Sequence, residues 1–363
     1  MTEHFFGGKT HQSDSIHLIS DRFRPHDKSY LPLSKVQEKT RQDVLSKLTN
    51  GTYQLTLHKC PLCDSNEFAA IAERDRYSLP VQTLACRRCG LLLTNPLMRG
   101  SDYADFYQNH YTSLYEGFQC SPAEFFEGQQ GAGKRLYDTI SKHVNIREMR
   151  VAEVGCAAGG ILSYFQSYCR DVVGCDFGTD FMAYGKTRGL KLKVGGVETL
   201  REEHPDAIIY SHVLEHILDI NAELETVADI LPPEGILIID VPGVYNIPNA
   251  YESDFLRYLQ NAHLVHFTAE TLTAVMAKHG FSKVHADERC IAVFRKTGMR
   301  QAPQIAAEGN AHLKAIQFLK EVESSRLIVK ARRFPRKVIV ATLKALGIHT
   351  MARRIYRKLS SQG

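Results

Sequence analysis

The chain has 363 residues, of which 44% are hydrophobic and 23% are charged, and its formal net charge is +5. This composition is typical of a globular protein, and the length allows more than one domain. No apolar run is long enough to cross a bilayer, and the N-terminal residues do not have the basic-then-apolar order of a secretory signal. We therefore expect a cytoplasmic protein.

The first 52 residues are predicted to form a polar segment that ends in a helix. Residues 1–32 are polar and show no periodicity, so we expect them to be partly disordered. Residues 33–48 place Val36, Val44 and Leu48 roughly on one helical face, and Asn50-Gly51 provides a stop signal.

Residues 53–96 contain two CxxC motifs, "CPLC" and "CRRCG". Each motif can turn two thiolates toward one ion, and four thiolates form a closed tetrahedral zinc site. The spacing therefore predicts a structural Zn²⁺ held by Cys60, Cys63, Cys86 and Cys89.

Residues 97–149 are predicted to be a helical linker. Tyr103, Tyr107, Tyr111 and Tyr115 recur every four residues and would form one helical stripe. The stripe packs against the cysteine module or lines a substrate pocket. The segment "GQQGAGKR" fits only part of a phosphate-binding loop, because Arg135 replaces the residue that would ligate magnesium.

Residues 150–297 alternate between β-rich and helical runs, which predicts a doubly wound α/β domain with a parallel sheet. Two consecutive strands at the end indicate that the last strand runs antiparallel. Between these runs, Thr268 suits a helix N-cap and Gly280 suits the position after a helix.

The stretch "VAEVGCAAGG", residues 151–160, predicts a glycine loop between a strand and a helix. Glu153 precedes the loop, and Asp176 ends the next strand. In nucleotide-binding folds, an acid at the end of that strand accepts hydrogen bonds from the ribose hydroxyls. The loop meets only part of the dinucleotide pattern. A ligand with an amino-acid end and a ribose but no pyrophosphate fits these residues, and S-adenosylmethionine is such a ligand.

Five motifs in order make residues 150–295 resemble the class I S-adenosylmethionine-dependent methyltransferases: "VAEVGCAAGG", "VVGCD", "DAIIYSHVLEHI", "LPPEGILIIDVPG" and "HLVHFTAETLTAVMAKHGF". Ala157 departs from the family's glycine. The resemblance implies that the methionine end, the ribose, the adenine and the sulfonium are bound by Glu153, Gly155, Cys156, Gly159, Asp176, Phe177, Glu198, Ser211 and His212.

With the cysteine module and the stretches "LLLTNPL" and "DYADFYQNHYTSLYE" that follow it, residues 60–295 resemble zinc-bearing bacterial methyltransferases that act on deoxysugars and surface-polysaccharide precursors. The match to the family's "FY…Y" pattern implies that Tyr107 and Tyr111 contact the substrate. In the carbon-methylating members a Glu-His pair supplies the base; here Ala262 precedes His263, so an oxygen or a carbon acceptor stays open. His263 and His266 are the candidate bases. RNA methylation, which also occurs with zinc knuckles, and non-catalytic binding of S-adenosylmethionine are the alternatives.

Residues 298–363 are predicted to be a basic helical extension, with 11 Lys or Arg and no Asp or Glu from Arg326 onward. Helical runs are predicted at "AHLKAIQFLKEVES" and "RKVIVATLKALG". The extension packs on the body, docks to an anionic membrane surface or a glycan-assembly partner, or contacts RNA, which its few aromatic residues favour least.

Overall fold

The computed structural model describes residues 17–115, 121–303 and 310–345, with side chains up to residue 332. Its strands are β1 (Leu55–Thr56), β2 (Phe68–Ala72), β3 (Thr83–Cys86), β4 (Leu92–Thr94), β5 (Leu97–Met98), β6 (Arg150–Val154), β7 (Asp171–Asp176), β8 (Lys191–Val194), β9 (Ala207–Ser211), β10 (Ile236–Asp240), β11 (Val265–His266), β12 (Phe281–Ala286) and β13 (Ile291–Lys296).

The α-helices are α1 (Lys35–Thr49), α2 (Gly100–Phe106), α3 (Thr112–Tyr115), α4 (Pro122–Ile140), α5 (Gly160–Phe165), α6 (Thr179–Thr187), α7 (Ile220–Ile230), α8 (Ile247–Ala250), α9 (Phe255–Tyr258), α10 (Ala269–Lys278) and α11 (Leu313–Ala345). Short 3₁₀ turns include Leu214–His216.

The largest described sheet has the strand order β12-β13-β10-β9-β6-β7-β8. Strands β6 to β10 are parallel, and β13 is antiparallel to both β10 and β12, so the antiparallel last strand predicted from the sequence is confirmed. The central strands are apolar and buried because helices cover both faces of the sheet. The predicted cap is also present, since the Thr268 side chain accepts a hydrogen bond from the Thr271 amide at the start of α10.

The cysteine module and the large sheet share one hydrophobic core. The module's sheet has the order β11-β4-β3-β2, and its strand β11 comes from the chain between α9 and α10. The boundary between a module at residues 53–96 and a domain at 150–297 stays a prediction, but the backbone pairing crosses it.

Within the segment expected to be partly disordered, residues 17–32 are ordered, and residues 1–16 lie outside the described part of the chain. The amides of His17 and Ile19 bond to the carbonyls of Ala70 and Ile71, and Phe23 is fully buried. The predicted helix that follows is α1, but Val36 is exposed, so Val44 and Leu48 face the core without it.

The tyrosine segment is not one regular helix. Residues Tyr107–Tyr111 form a π-helical turn between α2 and α3. A π-helical turn has more than four residues, so side chains four apart still stack. The segment "GQQGAGKR" lies inside α4, which agrees with the absence of a phosphate loop there.

Both helical runs predicted for the C-terminal extension belong to one helix, α11, which the structure describes up to Ala345; residues 346–363 lie outside the described part of the chain. The first half of α11 is packed on the body by Ala315, Ile316, Leu319 and Val322. Among the described residues, no helix has the length and apolarity needed to cross a membrane. Contact of the tail with an anionic surface and a cytoplasmic location stay predictions.

Candidate active site

The strand order of the large sheet reverses between β6 and β9. In α/β sheets a ligand binds at such a reversal, in a cleft outside the carboxyl ends of the strands. Glu153 lies near the end of β6, and Asp176 and Ser211 are the last residues of β7 and β9. The three predicted donor-binding residues therefore meet at one edge of the sheet.

The glycine loop joins β6 to α5 with unusual backbone angles. The φ angles of Gly155, Ala157 and Gly159 are +69°, +47° and +76°. A Cβ at Gly155 would lie 2.4 Å from Cγ2 of Val213, and one at Gly159 would lie 2.6 Å from Cδ1 of Leu190, so only glycine fits there. Ala157 takes the same left-handed conformation in spite of its methyl group.

The two acids of the cleft differ in what they bind. Asp176 accepts hydrogen bonds from the amides of Ala157 at 2.8 Å and Gly178 at 2.6 Å. Glu153 is buried, and its Oε2 has no hydrogen-bond partner among the described residues. Burial and the nearby Asp176 raise the pKa of Glu153 well above its usual range. An ammonium group of a ligand would satisfy this orphaned oxygen.

The other predicted donor-binding residues form an open rim and a buried floor. Phe177, Glu198 and His212 are exposed, and the Phe177 side chain is 77% exposed. Cys156 is buried, with its Sγ directed at Gly174, so it offers only backbone atoms to a ligand.

Helix α4 supports the glycine loop in a way that the sequence did not reveal. Gln129 accepts a hydrogen bond from the Gly160 amide at 3.0 Å and donates to the Cys156 carbonyl at 3.2 Å. These contacts satisfy backbone groups at the start of α5 that would otherwise lack partners. No local pattern marks Gln129, because its role depends on how α4 packs on α5.

A cluster of three histidines surrounds the carboxylate of Glu215 next to the cleft. Oε1 of Glu215 lies 3.6 Å from Nδ1 of His212, 3.7 Å from Nε2 of His216 and 3.8 Å from Nε2 of His263. The Glu215 side chain is only 2% exposed, and neither of its oxygens has a hydrogen-bond donor among the described residues. We call these four residues the Glu215 cluster; Glu215 was not predicted as a site residue.

The histidines of the cluster differ in pKa. The protein atoms around the His212 ring oppose its charged form, but the Glu215 carboxylate outweighs them and raises the pKa of His212 to about 9. Burial, with the neighbouring imidazoles, holds the pKa of His263 well below its usual value. Near neutral pH His263 is therefore an uncharged imidazole, which is the form that a general base requires.

The two predicted bases lie in different surroundings. His263 contacts the amide nitrogen of Gln260 through Nε2, and its ring faces that of His216 at 4.9 Å between centroids. His266 lies in β11, where its Nδ1 pairs with the Tyr258 hydroxyl at 3.2 Å and burial lowers its pKa to about 3. His263 therefore lies beside His216 in the Glu215 cluster, whereas His266 is buried against Tyr258.

The predicted substrate tyrosines border the same cluster. The Tyr107 hydroxyl pairs with Nδ1 of His216 at 3.1 Å. Tyr107, Tyr111 and Tyr115 follow one another with ring centroids 5.0 and 4.8 Å apart. They form an aromatic wall beside the Glu215 cluster, while Tyr103 is buried in the core.

The four predicted metal ligands come together as two matching knuckles. The Asp64 amide bonds to the Cys60 carbonyl and the Gly90 amide to the Cys86 carbonyl, both at 2.9 Å. Sγ of Cys60 lies 3.4 Å from that of Cys89, and Sγ of Cys63 lies 3.5 Å from that of Cys86. Thiolates around one Zn²⁺ are about 3.8 Å apart, so these separations fit a shared ion.

The cysteine module reaches the histidines through Asp75. This buried carboxylate accepts from the amides of Tyr77 and Leu79, both at 2.9 Å, and from that of Asn261 at 3.1 Å. The chain that leads to His263 is thereby fastened to the module. Arg76 extends the contact by donating to the side-chain oxygen of Gln260.

The part of the chain that contains the site is similar to a known protein family. Residues 126–286 match the model of the family described as "Methyltransferase domain". This match, with the observed sheet, confirms the predicted Rossmann-like α/β fold and, for this part of the chain, the resemblance to class I S-adenosylmethionine-dependent methyltransferases.

Curated relatives cover only part of the chain. A trans-aconitate 2-methyltransferase of Mycobacterium ulcerans is 23% identical over 35% of this chain and 50% of its own length. A ubiquinone biosynthesis O-methyltransferase of Xylella fastidiosa is 29% identical over 28% of this chain and 45% of its own length. The chain thus spans about half the length of the curated relatives it matches.

Among solved structures, an amino pentose methyltransferase from Micromonospora echinaspora with bound S-adenosylmethionine is 16% identical, with a TM-score of 0.35, over 52% of this chain and 96% of that chain. The individual site residues, the zinc ion and the sugar acceptor stay predictions.

Proposed function

We propose that this protein transfers the methyl group of S-adenosylmethionine to a hydroxyl or carbon of a sugar, within a nucleotide-sugar or glycan precursor. The observation that carries the proposal is the cleft at the reversal of strand order. There the acids Glu153 and Asp176 share one edge with the Glu215 cluster and the aromatic wall. The match to a methyltransferase domain supports the transfer reaction, and the resemblance to sugar methyltransferases is the basis for the acceptor.

The donor would be held by its two ends. The orphaned oxygen of Glu153 would accept a hydrogen bond from the ammonium of the methionine part, and Asp176 would accept from the ribose. S-adenosylmethionine supplies an electrophilic methyl group, so the protein's remaining task is to place the acceptor and remove its proton. Uncharged His263 is our candidate for that proton.

The cysteine module would carry one structural Zn²⁺. The four sulfurs leave no open coordination position, so the ion would hold the module together and not take part in the reaction. Through Asp75 and the pairing of β4 with β11, the module would also fix the chain that carries His263.

The first experiment supplies methyl-labelled S-adenosylmethionine to the purified protein together with a fractionated bacterial extract. We expect label in nucleotide-linked sugars or glycan fractions. Label that disappears on ribonuclease treatment would overturn the sugar acceptor and establish RNA as the substrate. Tight binding of the donor with no labelled fraction would favour the non-catalytic alternative.

A second experiment tests His263 once an acceptor is known. His263→Ala should lower kcat by about 10²- to 10⁴-fold while the affinity for S-adenosylmethionine stays within error. His279→Ala provides the matched control, because His279 is also buried but pairs with Glu225 and Asn221 away from the cleft. An unchanged kcat in His263→Ala would exclude His263 from the reaction.

A further inference from the structure

The Glu215 carboxylate has no hydrogen-bond donor at ordinary distance among the described residues, and its basic neighbours are the imidazoles of His212, His216 and His263. Taking a carboxylate out of water costs several kcal/mol unless hydrogen bonds or an opposite charge compensate. Among the described residues, neither oxygen of Glu215 has a hydrogen-bond donor, and the side chain is almost completely buried. His212 at 3.6 Å supplies part of this compensation from an exposed side chain, and a cation between Glu215 and the largely buried imidazoles of His216 and His263 would complete it.

The nearest groups are imidazole nitrogens, at distances that are too long for good hydrogen bonds. The separations of 3.7 Å to Nε2 of His216 and 3.8 Å to Nε2 of His263 exceed the usual range for N–H···O bonds. Ligands placed about 2.1 Å from one ion at tetrahedral angles are roughly 3.4 Å apart. The ligand atoms of Glu215, His216 and His263 all lie within 4.8 Å of one another. The distances between these three ligand atoms are therefore close to those expected around one metal ion.

The surroundings orient the three residues. Nδ1 of His216 pairs with the Tyr107 hydroxyl, so the other ring nitrogen is turned toward Glu215. Metal-bound histidines commonly have such a partner on the second nitrogen. The Leu264 amide donates to the Glu215 carbonyl at 2.7 Å, which ties the turn Leu214–His216 to the segment that carries His263.

From this geometry we propose that Glu215, His216 and His263 form a second metal site, for a divalent ion of the Zn²⁺ class. Two imidazoles and one carboxylate suit transition-metal ions, whereas Mg²⁺ and Ca²⁺ prefer oxygen ligands. With three protein ligands the ion keeps an open position, unlike the closed four-cysteine site. The ion displaces the amide nitrogen of Gln260, which contacts Nε2 of His263 in this structure.

The role of the ion rests on the proposed function, although the site itself does not. An acceptor hydroxyl bound at the open position loses its proton more easily, because the ion stabilises the alkoxide. The proton leaves to water, the new O–CH₃ bond forms, and the S–CH₃ bond breaks with its electron pair left on sulfur. In this arrangement Nε2 of His263 binds the ion. The ion then promotes loss of the acceptor proton, and His263 is a metal ligand instead of the base.

Metal counting on the full chain tests the site without any acceptor. The protein is stripped of metal, reloaded with Co²⁺ and dialysed, and its cobalt content and absorption spectrum are measured. We expect two ions per chain, of which one shows a thiolate-to-metal charge-transfer band. Glu215→Gln and His216→Gln should each keep the thiolate band and bind the second ion at least about 100-fold more weakly, because a direct ligand is lost.

Control variants make the outcomes distinct. Glu223→Gln should keep both ions, since Glu223 pairs with the Tyr210 hydroxyl at 2.6 Å and does not face the histidines. Cys86→Ser should lose the thiolate band, which assigns that band to the four-cysteine cluster. Equal cobalt content in the wild type and in folded Glu215→Gln, checked by circular dichroism, would overturn the proposal. A wild type with two ions but no methyl transfer would refute the proposed function alone.

Discussion

At the scale of single residues, the site depends on groups in unfavourable environments. Ala157 holds a left-handed backbone angle that its methyl group disfavours, and Asp75 and Glu215 are buried carboxylates. Each of these costs stability. Each also lies in the glycine loop, in the Glu215 cluster or in the contact that fixes His263.

Replacing Ala157 by glycine should relieve the backbone strain. A left-handed conformation destabilises an alanine by roughly 1–2 kcal/mol. Glycine avoids this strain, but it loses more conformational entropy on folding, which offsets about 0.5–1 kcal/mol of the gain. Ala157→Gly should therefore raise the free energy of unfolding by up to about 1 kcal/mol in denaturant titrations. Ala158→Gly is the control and should destabilise the protein, because Ala158 is buried and has no positive φ angle. A less stable Ala157→Gly would show that the Ala157 methyl packs favourably.

The Asp75 carboxyl should make stability depend on pH. Burial raises the pKa of Asp75 from 3.8 to about 6. The folded protein favours the neutral carboxyl. This contribution to stability is complete below pH 3.8, the pKa of the group in the unfolded chain, and it is lost as the pH rises through about 6. Between pH 3.5 and 7, the free energy of unfolding of the wild type relative to Asp75→Asn should therefore fall by roughly 2–3 kcal/mol.

The same titration on Asp27→Asn, whose carboxyl is exposed, separates this effect from a change in net charge. A difference between the wild type and Asp75→Asn that does not vary with pH would contradict the prediction.

At the scale of elements, the packing of α4 on α5 determines the position of the glycine loop. A Cβ at Gly133 would lie 3.0 Å from Cα and O of Ile161, and Gln129 on the same helix bonds to the loop. The helix can approach this closely only because a glycine faces α5.

Gly133→Val should separate these two helices. Its side chain would meet the backbone of α5, which cannot move aside as a flexible side chain does, so we expect a loss of about 2 kcal/mol or more and weaker binding of S-adenosylmethionine. Gly128→Ala lies in the same helix with open space around it and should stabilise the protein by about 1 kcal/mol. Calorimetric binding and thermal unfolding distinguish the two; equal donor affinity in both variants would refute a role for this contact.

At the scale of the whole molecule, the cysteine module, the large sheet and the two terminal segments form one packed unit. Strand β4 of the module pairs with β11, which lies in the sequence between strands β10 and β12 of the large sheet. Near the C-terminus, Glu323 of α11 accepts from Arg22, which also bonds to Asp254. A change in the module should therefore affect the distant histidines.

Removing the proposed zinc should thus reduce activity as well as stability. Cys86→Ser should lower the unfolding free energy by several kcal/mol and abolish methyl transfer, because the module holds the chain that leads to His263. Cys169→Ser lies outside the cysteine cluster and should retain metal, stability and transfer. Full activity of Cys86→Ser without an ion in the four-cysteine site would contradict the structural role.

The sequence by itself determined the alternation of strands and helices, the glycine loop, the ends of α10 and the two CxxC knuckles, because each of these is a local pattern of residue types. It did not reveal that residues 17–32 are ordered, that α11 is continuous, or that Gln129 supports the glycine loop. Only the tertiary structure brought Glu215 to His263, although these residues are far apart in the chain. The physical reason is that such contacts arise from the packing of separate elements, and no periodicity or spacing in one segment records which side chain of another it will meet.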